Sequence, residues 1–141
     1  MIPSEFEYVA PTSLAEALSA LADAGEDAKV IAGGQSLMPV LRLRLNSPST
    51  IIDLGRIEEL RGVRDDGDAL VVGAMTTHHD VMTDALVGQH ATLLAEATAT
   101  VADPQIRHRG TFGGSLAHAD PAGDLGAVAV ALDTTMTVAG P

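Results

Sequence analysis

The sequence predicts an α+β chain of two small subdomains, residues 1–56 and 57–141. Three observations lead there. A short apolar run, a glycine loop, a helix start and a second apolar run follow one another from Val30 to Leu54, a compact βαβ-like unit. Asp66-Gly67 is then a hairpin-turn signal, with Leu70-Val71-Val72 as the returning strand. Beyond it the pattern is mainly helical, and Thr135–Val138 is expected to begin a further strand.

The elements follow in order. Ser13 and Glu16 have capping-box spacing, and Leu14, Leu18, Leu21 and Ala22 then form one apolar helical face. Gly25 is the expected stop. Val30-Ile31-Ala32 reads as a buried strand that ends at Gly33-Gly34-Gln35-Ser36. Leu37, Val40 and Leu41 begin a short helix with Ser36 as candidate cap, and Asn46, Ser47 and Pro48 end it. Ile51–Leu54 is the second strand. Thr77 and Asp80 cap a helix running to about Gly88, and another covers roughly Ala91 to Val101, closed by Pro104. Asp120-Pro121 suits an N-cap and first helical position, for a helix to about Leu132. The strand at 135–138 has no partner after it, so the chain reads as truncated.

Composition narrows the chemistry. A chain of 141 residues suffices for one domain, which would bury about two-thirds of its unfolded surface. Hydrophobic residues make up 46% and aromatics 2%, so Ala, Val and Leu must build the core. No apolar run reaches the ~18 residues of a spanning helix, and the N-terminus lacks the regions of a signal peptide, so the expected compartment is the cytoplasm. Cysteine is absent, which excludes thiolate metal sites and iron–sulfur ligation by this chain. With a net charge of -11, one Tyr and two Phe, the chain lacks a basic patch and stacking platforms, so nucleic-acid binding is not expected. Any anionic ligand must be held by backbone amides and helix N-termini.

Two stretches suit such a ligand. Ala32-Gly33-Gly34-Gln35-Ser36 joins a strand to a helix, where consecutive amides can form a concavity for a phosphate. It is neither GxGxxG nor a Walker A loop, and a tight turn is the plainer alternative. Gly110-Thr111-Phe112-Gly113-Gly114-Ser115 reads as a second glycine loop, with Thr111 and Ser115 as hydrogen-bond donors and Arg107 and Arg109 just before it. A diphosphate would occupy both. His78, His79 and Asp80 read as a solvated first helical turn, since adjacent helical residues do not share a face. His118, Asp120 and Asp124 form a polar cluster without a nucleophile elbow. Asp124 either favours the helix dipole or accepts hydrogen bonds from ligand hydroxyls, such as a sugar or ribityl chain.

FEYVAPTSLAEAL, AGGQSLMPVLRLRL, GAMTTH and PQIRHRGTFGGSLAHADPAGDL occur in this order over residues 5 to 138. In that order they resemble the FAD-binding medium subunit of molybdenum hydroxylases, closest to the carbon monoxide dehydrogenase-like branch. The resemblance implies a two-subdomain FAD-binding fold: the βαβ-like unit plus a larger mixed, mainly antiparallel sheet with helices. It implies that Ala32, Gly33, Gly34, Gln35, Ser36 and Leu37, then Thr111, Gly113, Gly114 and Ser115, hold the FAD diphosphate. Asp124 falls at an acidic cofactor contact, and Thr76 and Thr77 lie in a segment that also approaches the cofactor. Ser115 departs from the more common Asn and keeps only a hydroxyl. The family's subunit is longer, and its later residues help cover the isoalloxazine ring.

The resemblance also implies partners and a reaction. Electrons leave the molybdenum site of a large subunit, pass two [2Fe–2S] clusters of a small subunit and reach FAD, which delivers them to an acceptor such as a quinone or NAD. A cysteine-free chain agrees with a flavin-only role. The protein positions and tunes the flavin, so no catalytic residue and no metal ligand is assigned. Two alternatives stand: another FAD-dependent oxidoreductase of the same broad fold, and a non-catalytic assembly module that binds no flavin.

Overall fold

The computed structural model describes residues 1–140, which form two compact units. One comprises Met1–Glu59 with the segment from Thr137 onward, and the other Leu60–Met136.

The first unit is built on a three-stranded, wholly parallel sheet of β1 (Glu7–Val9), β2 (Ala28–Ile31) and β3 (Thr50–Asp53), in the order β1-β3-β2. Ile51 and Ile52 of the central strand are 2% and 0% exposed, as expected where both faces are covered. Helix α1 (Leu14–Ala24) links β1 to β2. Ser13 Oγ accepts from the Glu16 amide at 3.2 Å. The reciprocal arm reaches one residue further back, with the Glu16 carboxylate accepting from the amide and hydroxyl of Thr12. Chiefly these two bonds, with a smaller share from the Ser13 backbone amide, hold the Glu16 carboxyl below its ordinary pKa. Gly25 ends α1 at φ +71°. Strand β1 has no signature in the sequence: three residues are too short for periodicity, and only their pairing with β3 makes them a strand. Helix α2 (Leu37–Arg42) buries Leu41 and returns the chain to β3.

The second unit is mainly helical. Strands β4 (Val63–Asp65) and β5 (Leu70–Val72) form an antiparallel hairpin, its turn closed by the Gly67 amide on Asp65 Oδ1. The main chain stays paired beyond the hairpin: the amides of Gly73 and Met75 donate to the carbonyls of Gly62 and Leu60. Six helices follow: α3 (His78–Thr83), α4 (Ala85–His90), α5 (Thr92–Ala99), α6 (Pro104–Arg107), α7 (Phe112–His118) and α8 (Asp124–Ala131). Val81, Val87, Leu94, Phe112, Leu125 and Val128, drawn from α3, α4, α5, α7 and α8, make the core.

The α+β class holds, with five local corrections. No strand forms at 135–138 among the described residues, where the sheet of the second unit is the antiparallel β4–β5 hairpin. The helix expected from Thr77 to Gly88 is two helices, broken where Asp84 turns extended and caps α4 through the amides of Leu86 and Val87. Pro104 opens α6 instead of closing α5, because Asp103 Oδ1 accepts from the Ile106 amide. Residues 112–115 are the first turn of α7, not a loop. Helix α8 starts at Asp124. Asp120 holds a turn instead, accepting from the amides of Ala122 and Gly123.

Candidate functional site

The first stretch leaves the carboxyl end of β2, the usual side for ligands in an open parallel sheet. Gly34 has φ +75°, and a Cβ there would press on Ile31 Cδ1 at 3.2 Å and Met38 Cγ at 3.3 Å. The carbonyl of Gly34 accepts from the Met38 amide. The amides of Gly33, Gly34, Gln35, Ser36 and Leu37, by contrast, donate to no acceptor among the described residues. Ser36 occupies the cap position of α2 in helical conformation and makes no side-chain cap bond, so its exposed hydroxyl is also uncommitted. Gln35 Nε2 donates to the Gly33 carbonyl at 3.2 Å, which ties the loop to itself. The half-buried Ala32 precedes this row of donors. A run of unpaired amides around a left-handed glycine is the backbone arrangement that binds phosphate oxygens.

The second stretch is organised differently. Thr77 and Thr111 face each other in an antiparallel bridge, and each caps a helix: Thr77 accepts from the Asp80 amide, Thr111 from the Gly114 amide, both at 3.1 Å. The amides of Phe112, Gly113 and Ser115 donate to the carbonyls of Thr76, Ala74 and Thr111. Every amide from 112 to 115 is therefore already paired. Ser115 Oγ donates to the Phe112 carbonyl at 2.7 Å, leaving only an acceptor oxygen. Thr76, 2% exposed, donates its hydroxyl to the Gly62 carbonyl. The proton of Thr111, on a side chain 3% exposed, is the one side-chain donor left uncommitted among Thr76, Thr111 and Ser115. Gly113 is small for a packing reason, since a Cβ there would lie 2.6–2.7 Å from Ala74. The side chain of the exposed Asp124, first residue of α8, makes no hydrogen bond among the described residues.

The basic residues divide too. Arg107 donates to the carbonyls of Val101 and Ala102 and fastens the turn after α5. Arg109 is exposed and makes no side-chain bond among the described residues. His79 stacks on His108 with ring centres 3.9 Å apart. His78 overturns the expectation of a solvated helical turn: it is 4% exposed, and burial pushes its pKa below the usual value. Its neighbour Gly110 carries the one sequence signal, since a Cβ at Gly110 would lie 2.8 Å from His78 Cδ2. No group of His, Asp and Glu among the described residues could hold a metal ion.

A family model described as the FAD binding domain in molybdopterin dehydrogenase matches residues 4–141. The chain is 46% identical over its whole length to the carbon monoxide dehydrogenase medium chain of Hydrogenophaga pseudoflava, covering 49% of that protein. It is 47% identical over 137 residues to the 6-hydroxypseudooxynicotine dehydrogenase complex subunit alpha of Paenarthrobacter nicotinovorans, covering 97% of this chain and 46% of that one. The solved carbon monoxide dehydrogenase of H. pseudoflava, in a form lacking the Mo-pyranopterin moiety of its molybdenum cofactor, superposes with a TM-score of 0.91. The identity is 49%, over 93% of this chain and 46% of that one. Quinoline 2-oxidoreductase from Pseudomonas putida 86 superposes with a TM-score of 0.85 at 45% identity, over 89% of this chain and 44% of that one. The chain spans about half the length of the curated relatives it matches. No helix among the described residues is long and apolar enough to cross a membrane.

Proposed function

The chain belongs to the family of FAD-binding domains of molybdopterin dehydrogenases, and on that premise we propose that it is the FAD-binding part of a molybdenum hydroxylase, of the carbon monoxide dehydrogenase-like branch. The observation that carries the reading is the row of unpaired amides from Gly33 to Leu37. These donors and the free Ser36 hydroxyl would hold phosphate oxygens without a single Lys, in keeping with a chain of net charge -11.

The second stretch contributes less than its glycines promise. Thr111 would donate its free proton, Ser115 and Thr76 would offer acceptor oxygens, and Asp124 would accept from ligand hydroxyls. Gly113 and Gly114 would shape the first turn of α7 instead of lending amides. The assignment of binding residues to two subdomains, 1–56 and 57–141, is part of the same proposal.

Bound FAD supplies exchange between one-electron and two-electron carriers. The electrons would come from [2Fe–2S] clusters of a small partner subunit, fed by a large molybdenum-cofactor subunit, and leave to an external acceptor. The chain would act within that complex, in the cytoplasm. Its own residues bind and orient, and none acts as an acid or base. One observation favours the alternative of an assembly module without flavin: the amides of residues 112–115 are already paired.

Titrating the purified chain with FAD while recording the visible spectrum decides between the two. Saturable uptake with a flavin spectrum supports the proposal. A folded chain that takes up no FAD at high concentration leaves the assembly module.

A further inference from the structure

Strands β2 and β3 end side by side in the first unit. Ile31 and Asp53, their last residues, are register partners. The chain therefore leaves the carboxyl end of the sheet on two neighbouring strands, once into the donor row of residues 33–37 and once into the short turn Leu54–Arg56. Tyr8 pairs with Ile51, two residues before Asp53, so the side chains of Tyr8, Asp53 and Ile31 share one face. The Tyr8 hydroxyl donates to Asp53 Oδ2. Gly34 packs on the Ile31 side chain, where a Cβ would lie 3.2 Å from Cδ1, so the donor row folds over that same face.

Arg56 brings a cation to this end of the sheet. The bond to Asp53, above all, pushes the Tyr8 pKa up, and the Arg56 guanidinium acts against it, so the cation belongs to the same cluster. Arg56 is exposed and makes no hydrogen bond or ion pair among the described residues. Carboxylates close to it in the chain are taken by other donors: Asp53 by Tyr8 and the Gly55 amide, Glu59 by the Leu14 amide. We propose that Arg56 is a further binding residue, the counter-ion of a diphosphate held by the amides of residues 33–37. Neutral amides fit phosphate oxygens but leave their charge uncancelled, on a chain of net charge -11. A guanidinium bonds a phosphate through two N–H groups at once. Neighbouring strands are about 4.8 Å apart, within the span of an arginine side chain. Arg42 and Arg44 stand at and beyond the far end of α2, away from the donor row. The inference rests on the FAD reading and deepens it.

The test uses the full chain with Arg56→Gln, Arg56→Lys and, as a control that removes the same charge elsewhere, Arg42→Gln. FAD dissociation constants are measured by flavin fluorescence at about 50 mM and about 0.5 M salt. Inhibition of FAD uptake by ADP, which has the diphosphate without the flavin, is measured beside them. The expected result for Arg56→Gln is an affinity weakened about 3- to 10-fold at low salt, for FAD and ADP alike, with the gap to the parent narrowing at high salt. Arg56→Lys should recover part of it, because the charge remains and the two-pronged bond is lost. Arg42→Gln should stay within two-fold of the parent. An FAD affinity of Arg56→Gln within two-fold of the parent at low salt overturns the inference and leaves the FAD reading standing. So does an equal loss in Arg42→Gln, which would be an effect of net charge, or a loss with FAD but not with ADP. No FAD uptake by the parent chain overturns both.

Discussion

The amide of Gly113 donates to the carbonyl oxygen of Ala74 at 3.0 Å, and a Cβ on Gly113 would lie 2.7 Å from that same oxygen. Helix α7 thus starts in direct contact with the backbone that continues β5. Gly113→Ala should lower stability by about 1–3 kcal/mol, the range of overpacking. Gly126→Ala, in the interior of α8 with nothing within 4 Å, should instead raise it by about 0.5–1 kcal/mol. Urea unfolding of the two variants checks this, and equal effects would remove the packing role of Gly113.

Gly34 and Gly67 both have left-handed backbone, at φ +75° and +81°, but only Gly34 lies in the row of free amides. Alanine at either site costs about 1–2 kcal/mol of backbone strain. Gly34→Ala should also weaken FAD binding at least about ten-fold by moving the amides, whereas Gly67→Ala should leave it alone. Parallel FAD titrations separate the two. If both variants bind as the parent does, residues 33–37 are only a turn.

Thr111 caps α7 through the Gly114 amide. Thr111→Ala should cost about 1 kcal/mol, with Thr111→Ser within a few tenths of the parent, because Ser keeps the cap oxygen. Thermal unfolding of the three proteins reads this directly.

Burial lowers the pKa of His78 in the folded chain. The unfolded chain then binds the proton more readily, with an ordinary value of about 6.5. Its contribution to stability is fully present above pH ~6.5 and is lost as pH falls from there through the folded value. Stability should rise with pH across this window, more steeply in the parent than in His78→Phe. Unfolding free energies at a series of pH values from about 5 to 7.5 test it, and identical slopes would exclude His78 as a source.

Local features are legible from residue order. The Ser13 and Thr77 caps, the Gly25 stop and the Asp66-Gly67 turn all depend on bonds between residues two to four apart. The collinear motifs are equally legible, and they lead to the family. Other features are not. Pro104 reads as a terminator, and only the bond from the Ile106 amide to Asp103 makes it the start of α6. GTFGGS reads as a loop because its glycines disfavour helix, yet tertiary contacts with Ala74 and Thr76 hold it as one. His78 reads as solvated because its polarity is visible in the sequence and its burial is not.

Residue order alone gives the class, the family and two candidate phosphate stretches, since each is written in short-range spacing and residue type. Which stretch has donors to offer is settled by long-range packing. The amides of residues 112–114 are engaged by Thr76, Ala74 and Thr111, and the first two lie in the chain segment between β5 and α3, far earlier in the sequence, whereas those of 33–37 are not engaged. A backbone donor can serve a ligand only if no carbonyl elsewhere in the fold has already claimed it, and long-range pairing of that kind leaves no mark in local sequence.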